Sequence, residues 1–252
     1  MLITLQKLIL IFMRIGSFVF ISKGFSFKGV PTVVKIAISL GLSLPVYIMI
    51  PAMESELGLV QLALFALKES LVGLALGYIT NLFFYAVEIA GNFADFQVGF
   101  SMSAVFDPAL GFQASYFGKI YYWMALSIFF FTDMHHHVLR ALVSGFAVFP
   151  IEAFSVGDFG VKGIVTLFSM MFEIALNLSA PIVIVALLTE VVLGVLSRTV
   201  PQINVLMLSM PLKILVSMSL MLVLLPNLMD SMTEMLPLMV KYMTEFIQSL
   251  SR

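Results

Sequence analysis

Residues 164–196, IVTLFSMMFEIALNLSAPIVIVALLTEVVLGVL, and residues 205–228, VLMLSMPLKILVSMSLMLVLLPNL, meet at a short polar hinge, Arg198-Thr-Val-Pro-Gln-Ile-Asn204. Each run exceeds the roughly 20 apolar residues that cross about 30 Å of hydrocarbon as a helix. The hinge holds one permanent positive charge, one proline and two amides. The pattern predicts a helical hairpin with a polar tip, in a membrane or in a membrane-bound complex.

The whole chain has the same character. It is 61% hydrophobic and 11% charged, against about 25% charged residues in a soluble domain. The net charge of −1 gives no electrostatic footprint for nucleic acid. With no cysteine, disulfides, thiol catalysis and Cys-ligated metals are excluded. Lys7 followed by Leu8–Met13 has the look of a signal peptide. Arg14 interrupts the run and no small-residue cleavage site follows, so it is read as a retained first membrane segment.

Six or seven apolar segments emerge, roughly Leu2–Ile21, Val33–Met53, Leu59–Val87, Ile120–Phe131, Val138–Phe149, Ile164–Leu196 and Val205–Leu228. None alternates as a membrane barrel strand does, so all are predicted helical and the fold class all-α. The fourth and fifth are each too short to span alone, and read either as half-spanning helices hinged at Asp133–His137 or as one long interrupted helix. Leu59–Val87 and Ile164–Leu196 are longer than a bilayer needs and must tilt, bend or protrude. Pro45, Pro181 and Pro211 should kink their helices. Glu88–Lys119, with Gly91, Gly99, Gly111 and Asp107-Pro108, reads as irregular backbone buried in protein or lining a watery cavity. Met232, Met235, Met239, Met243, Ile247 and Leu250 form the stripe of a separate amphipathic helix, with Pro237 near its first turn.

The candidate chemistry is thin. His135-His-His137 beside Asp133 is a tempting metal cluster. Consecutive helix residues point about 100° apart, however, so polar residues at a helix break are the better reading. Gly111…Gly118-Lys119 lacks the spacing and the hydroxyl residue of a phosphate loop. No catalytic set converges, and no cofactor is called for. Gly73-x-x-x-Gly77 fits close helix packing. Arg14, Lys35, Lys68, Glu69, Glu173, Glu190 and Lys213 lie in or beside apolar runs. Such charges are costly there unless paired. They suit either a proton relay, with Glu173 or Glu190 as coupling acids of a transporter, or the glue of a large assembly.

Ala180-Pro181, Gly194, Arg198-Thr-Val-Pro201-Gln202-Ile-Asn204 and Pro211-Leu-Lys213 follow one another in an order that resembles the flagellar biosynthetic protein FliR family and its injectisome counterparts. Ala90-Gly91, Gln97-x-Gly99-Phe100, Asp107-Pro108, Arg14, Pro31, Lys35 and Pro45 extend the resemblance over nearly the full length. Met134 and Glu152 stand where the family often has glycine. The resemblance implies a non-catalytic subunit of a type III export gate in the bacterial inner membrane and flagellar basal body. Implied partners are FliP-like and FliQ-like subunits, an FlhB-like switch protein, membrane lipid and unfolded exported proteins. It implies a FliP-like portion over residues 1–155 and a FliQ-like hairpin with a terminal helix over 156–252. It also implies that Ser101–Tyr116 plugs the closed pore. Met102, Phe106, Asp107, Pro108, Leu110 and Phe112 are then the plug residues. Arg198, Pro201, Gln202, Asn204 and Lys213, with Gly73 and Gly77, are the expected assembly residues.

Overall fold

The computed structural model describes residues 2–27, 29–51, 56–100, 115–153, 160–199 and 205–251. Among them the regular structure is helical, as predicted: α1 Leu2–Ile21, α2 Thr32–Met49, α3 Leu59–Val98, α4 Tyr116–Phe131, α5 Met134–Val148, α6 Gly160–Thr199 and α7 Val205–Leu250. Five are long and apolar enough to cross a membrane, namely α1, α2, α3 and most of α6 and α7. At 16 and 15 residues, α4 and α5 are too short. The 40 residues of α3 and of α6 and the 46 of α7 reach about 60–70 Å at 1.5 Å per residue. Even a tilt of about 40° leaves them longer than one hydrocarbon core.

Two expectations are corrected. Glu88–Lys119 is not irregular throughout: α3 continues to Val98 and α4 begins at Tyr116. Gly91 is tolerated inside α3 because the backbone of Gly118 lies where its Cβ would be. The C-terminal amphipathic segment is not a separate helix either. It continues α7, so Pro237 lies deep inside a helix rather than near its start. The buried stripe of Met232, Met235, Leu236, Met239, Met243 and Ile247 holds that stretch helical despite the amide lost at Pro237.

The chain folds into two compact units that interleave along the sequence. The first comprises Met1–Phe83, Phe129–Phe168 and Leu236–Arg252; the second comprises Phe84–Ile128 and Ser169–Met235. In the first, α1 buries Leu10, Ile11, Ile15, Phe18 and Val19 completely. Gly73 and Gly77 let α3 approach it. A Cβ on Gly73 would meet Ser17 Oγ and the Arg14 carbonyl, and one on Gly77 would meet Ile21. Asn81 of α3 then closes the end of α1. It donates to the Ile21 carbonyl (2.7 Å) and accepts from the Lys23 amide (2.6 Å). Lys7 of α1 closes α2 in turn, donating to the carbonyls of Tyr47 (2.8 Å) and Ile50 (2.7 Å). Basic groups are favoured at a helix C-terminus, where carbonyls lack partners. The chain breaks between α4 and α5 at Asp133, whose φ of 56° is left-handed. Gly145 of α5 receives Ile247 from the end of α7.

Candidate channel and assembly surfaces

Three polar constellations stand out in this apolar chain. In the first unit, Arg14 and Glu69 form a buried ion pair, with side chains 1% and 0% exposed. The guanidinium donates to both Glu69 oxygens, by Nε to Oε2 and by Nη2 to Oε1 (2.9 Å). Nη2 also reaches the Phe149 carbonyl (3.1 Å). Its Cζ lies 4.0 Å from the Phe146 ring centroid. Lys68 joins the same carboxylate at 2.9 Å. It also donates to the carbonyls of Ile151 (2.6 Å) and Ala153 (2.7 Å). One anion therefore serves two cations, and three main-chain oxygens serve the excess positive charge. Those oxygens belong to the turn that leaves α5, so the constellation fixes that turn.

In the second unit, Asp95 reaches from the last turn of α3 to the start of α4. Its buried carboxylate accepts from the Ser115 hydroxyl and from the Phe117 amide (3.2 Å). Ser115 Oγ in turn accepts from the Gly118 amide (2.8 Å). Ser115 is thus the N-cap of α4, and Asp95 is a second cap supplied by another helix. Gly99, with φ of 103°, ends α3 by donating to the Asp95 carbonyl at 3.1 Å. Tyr121 is fully buried one turn further on, and its hydroxyl has no partner among the described residues. Burial first, and then the Asp95 charge, hold its phenol above its ordinary value.

The third constellation identifies the hairpin. Lys213 of α7 pairs with Glu190 of α6 at 3.2 Å. Gln97 of α3 donates to the same carboxylate at 3.4 Å. Glu190 precedes the end of α6 by nearly as many residues as Lys213 follows the start of α7. The two helices therefore run antiparallel, as the opening stretch predicts. Arg198 is exposed in the last turn of α6, where a cation suits the helix dipole. Pro201, Gln202 and Asn204 lie outside the described residues. So do the plug candidates Met102, Phe106, Asp107, Pro108, Leu110 and Phe112. Gly73 and Gly77 are used within the chain, between α1 and α3.

The histidine cluster is brought together only in part. Donor atoms of Asp133, His135 and His136 lie within 4.8 Å of one another, and His137 is not among them. The imidazoles of His135 and His136 lie in a tilted contact, with centroids 4.1 Å apart and planes 39° apart. The Asp95 double cap escaped the sequence reading. A serine followed closely by an apolar run was the available signal for Ser115. Nothing in the spacing points from it to Asp95.

Residues 5–239 match the family model described as bacterial export proteins, family 1. The chain is 37% identical over 216 residues to the flagellar biosynthetic protein FliR of Bacillus subtilis (strain 168), covering 83% of this chain and 82% of that protein. It is 33% identical to the Yop proteins translocation protein T of Yersinia pestis over 148 residues, 58% of this chain and 57% of that one. It is 32% identical to the surface presentation of antigens protein SpaR of Shigella flexneri over 150 residues, 60% of this chain and 58% of that one.

Proposed function

Because the chain belongs to the bacterial export proteins, family 1, we propose that it is a non-enzymatic subunit of the type III export gate that passes unfolded flagellar proteins across the inner membrane at the basal body. The observation that carries the flagellar reading is the likeness to a FliR protein over most of both chains. The likeness to injectisome-type proteins covers a smaller share. The partners are FliP-like and FliQ-like subunits and an FlhB-like switch protein. Residues 1–155 take the FliP-like part and residues 156–252 the FliQ-like part.

The chain's physical chemistry supports an assembly subunit. Helices α3, α6 and α7 are too long for one bilayer core and keep large apolar faces exposed, among them Leu176, Leu188, Val191 and Val223. Exposed apolar area on this scale needs lipid or protein against it. The proton-coupled transporter reading loses support from Glu190, whose carboxylate is engaged by Lys213 and Gln97. Arg198, Pro201, Gln202, Asn204 and Lys213 belong to the assembling hairpin. Met102, Phe106, Asp107, Pro108, Leu110 and Phe112 plug the resting channel.

A tagged chain purified in mild detergent is expected to bring down two other hydrophobic membrane proteins in fixed ratio. Isolation of the chain alone, from cells that make all three, contradicts the proposal. For the plug, deletion of Asp107–Gln113 raises ion and small-molecule leakage in cells that still assemble the complex. Unchanged leakage sinks that assignment.

A further inference from the structure

The fold deals unequally with the ionisable side chains in and beside the apolar runs. Arg14, Lys68 and Glu69 form ion pairs inside the first unit. Glu190 and Lys213 do so inside the second. Lys35 lies against the Phe20 ring, 5.9 Å from its centroid. Glu173 has no such partner among the described residues: it is exposed on α6, and no hydrogen bond or ion pair reaches it. It stands within the stretch of α6 that is long and apolar enough to cross a membrane.

Its surroundings make that exposure unfavourable. Met171, Ala175 and Leu178 turn inward and are buried. On the outer side Phe172 and Leu176 are 48% and 57% exposed. The apolar face continues along the helix through Ile184, Leu187 and Val191. A carboxylate on such a face is costly against lipid and is tolerated where it meets an opposite charge. The apolar residues beside it call for an apolar partner, and the carboxylate calls for a cation on that partner.

We propose that the Glu173 face of α6 is a docking surface for an apolar helix of a partner subunit carrying a lysine or arginine, which pairs with Glu173. The inference rests on the export-gate reading above and specifies the chemistry of one of its contacts. It differs from hydrophobic packing alone because removal of the charge, with no loss of apolar surface, breaks it.

The experiment is copurification of the whole membrane complex from cells carrying Glu173→Leu, Glu173→Gln, Glu173→Asp or Glu173→Lys. Each is compared with wild type at matched levels of the chain in the membrane. Loss of the pair is expected to lower recovered complex about tenfold for Leu and Gln and further for Lys, with Asp near wild type. Recovery with Glu173→Leu equal to or above wild type overturns the proposal, because that is the outcome for a face turned to lipid. If Glu173→Leu is absent from membranes, the near-isosteric Glu173→Gln decides by the same criterion. If the wild-type chain itself brings down no membrane protein, the export-gate reading fails. If wild type assembles and the charge-removing variants assemble equally well, only the Glu173 contact fails.

Discussion

Removing the single carboxylate at Glu69 should damage the chain more than removing either cation it serves. In Glu69→Leu, the Arg14 guanidinium, 1% exposed, and the Lys68 ammonium, 11% exposed, face each other with carbonyl acceptors only. Breaking a buried pair by deleting one partner costs about 3–5 kcal/mol. Total stabilities are commonly about 5–15 kcal/mol. In Arg14→Met, Glu69 keeps Lys68 at 2.9 Å. The main loss is then the Phe149 carbonyl left without its donor, about 1–3 kcal/mol. For a chain of this size a kcal/mol moves the melting temperature by about 2–4 °C. The expected shifts are about 10 °C or more for Glu69→Leu and roughly half that or less for Arg14→Met. Thermal melts of the detergent-solubilised protein, read by the size-exclusion peak that survives heating, measure both. A Glu69→Leu shift equal to or smaller than the Arg14→Met shift refutes the one-anion, two-cation account.

Gly73→Leu should cost at least about 3 kcal/mol, because the first added carbon meets the Arg14 carbonyl, which a rotamer change cannot move; membrane abundance of the variant checks this. Asp95→Ala should loosen the first turn of α4 by about 1 kcal/mol, the usual worth of a cap. Hydrogen exchange at the Phe117 and Gly118 amides should accelerate about fivefold for that loss. Tyr121→Phe removes a buried hydroxyl with no partner among the described residues, so it should be neutral or stabilising by up to about 1 kcal/mol in the same thermal assay.

The helices were legible because their signal is length. A run of 20 or more apolar residues in a chain this poor in charge has one way to satisfy its backbone, and α1 matches its predicted span. Polar residues misled the reading where tertiary contacts satisfy them. Glu88, Asp95 and Gln97 suggested that the third run ends at Val87, yet Asp95 is anchored by the N-terminus of α4 and the helix continues. Arg14, Lys68 and Glu69 were recognisable as charges that need partners. Arg14 and Glu69 are 55 residues apart, and nothing local in one chain says which cation meets which anion. The hairpin was legible as two runs around a polar tip. The register that joins Glu190 to Lys213 depends on how α6 and α7 pack, which hydrophobicity does not encode.

A working part of the flagellar protein export gate is needed for secretion of flagellar proteins, and its loss is read in the culture supernatant. Cells lacking the gene should accumulate flagellar hook and filament proteins inside, with none in the culture supernatant, and a wild-type copy should restore their export. Undiminished export of those proteins from the deletion strain would contradict the account.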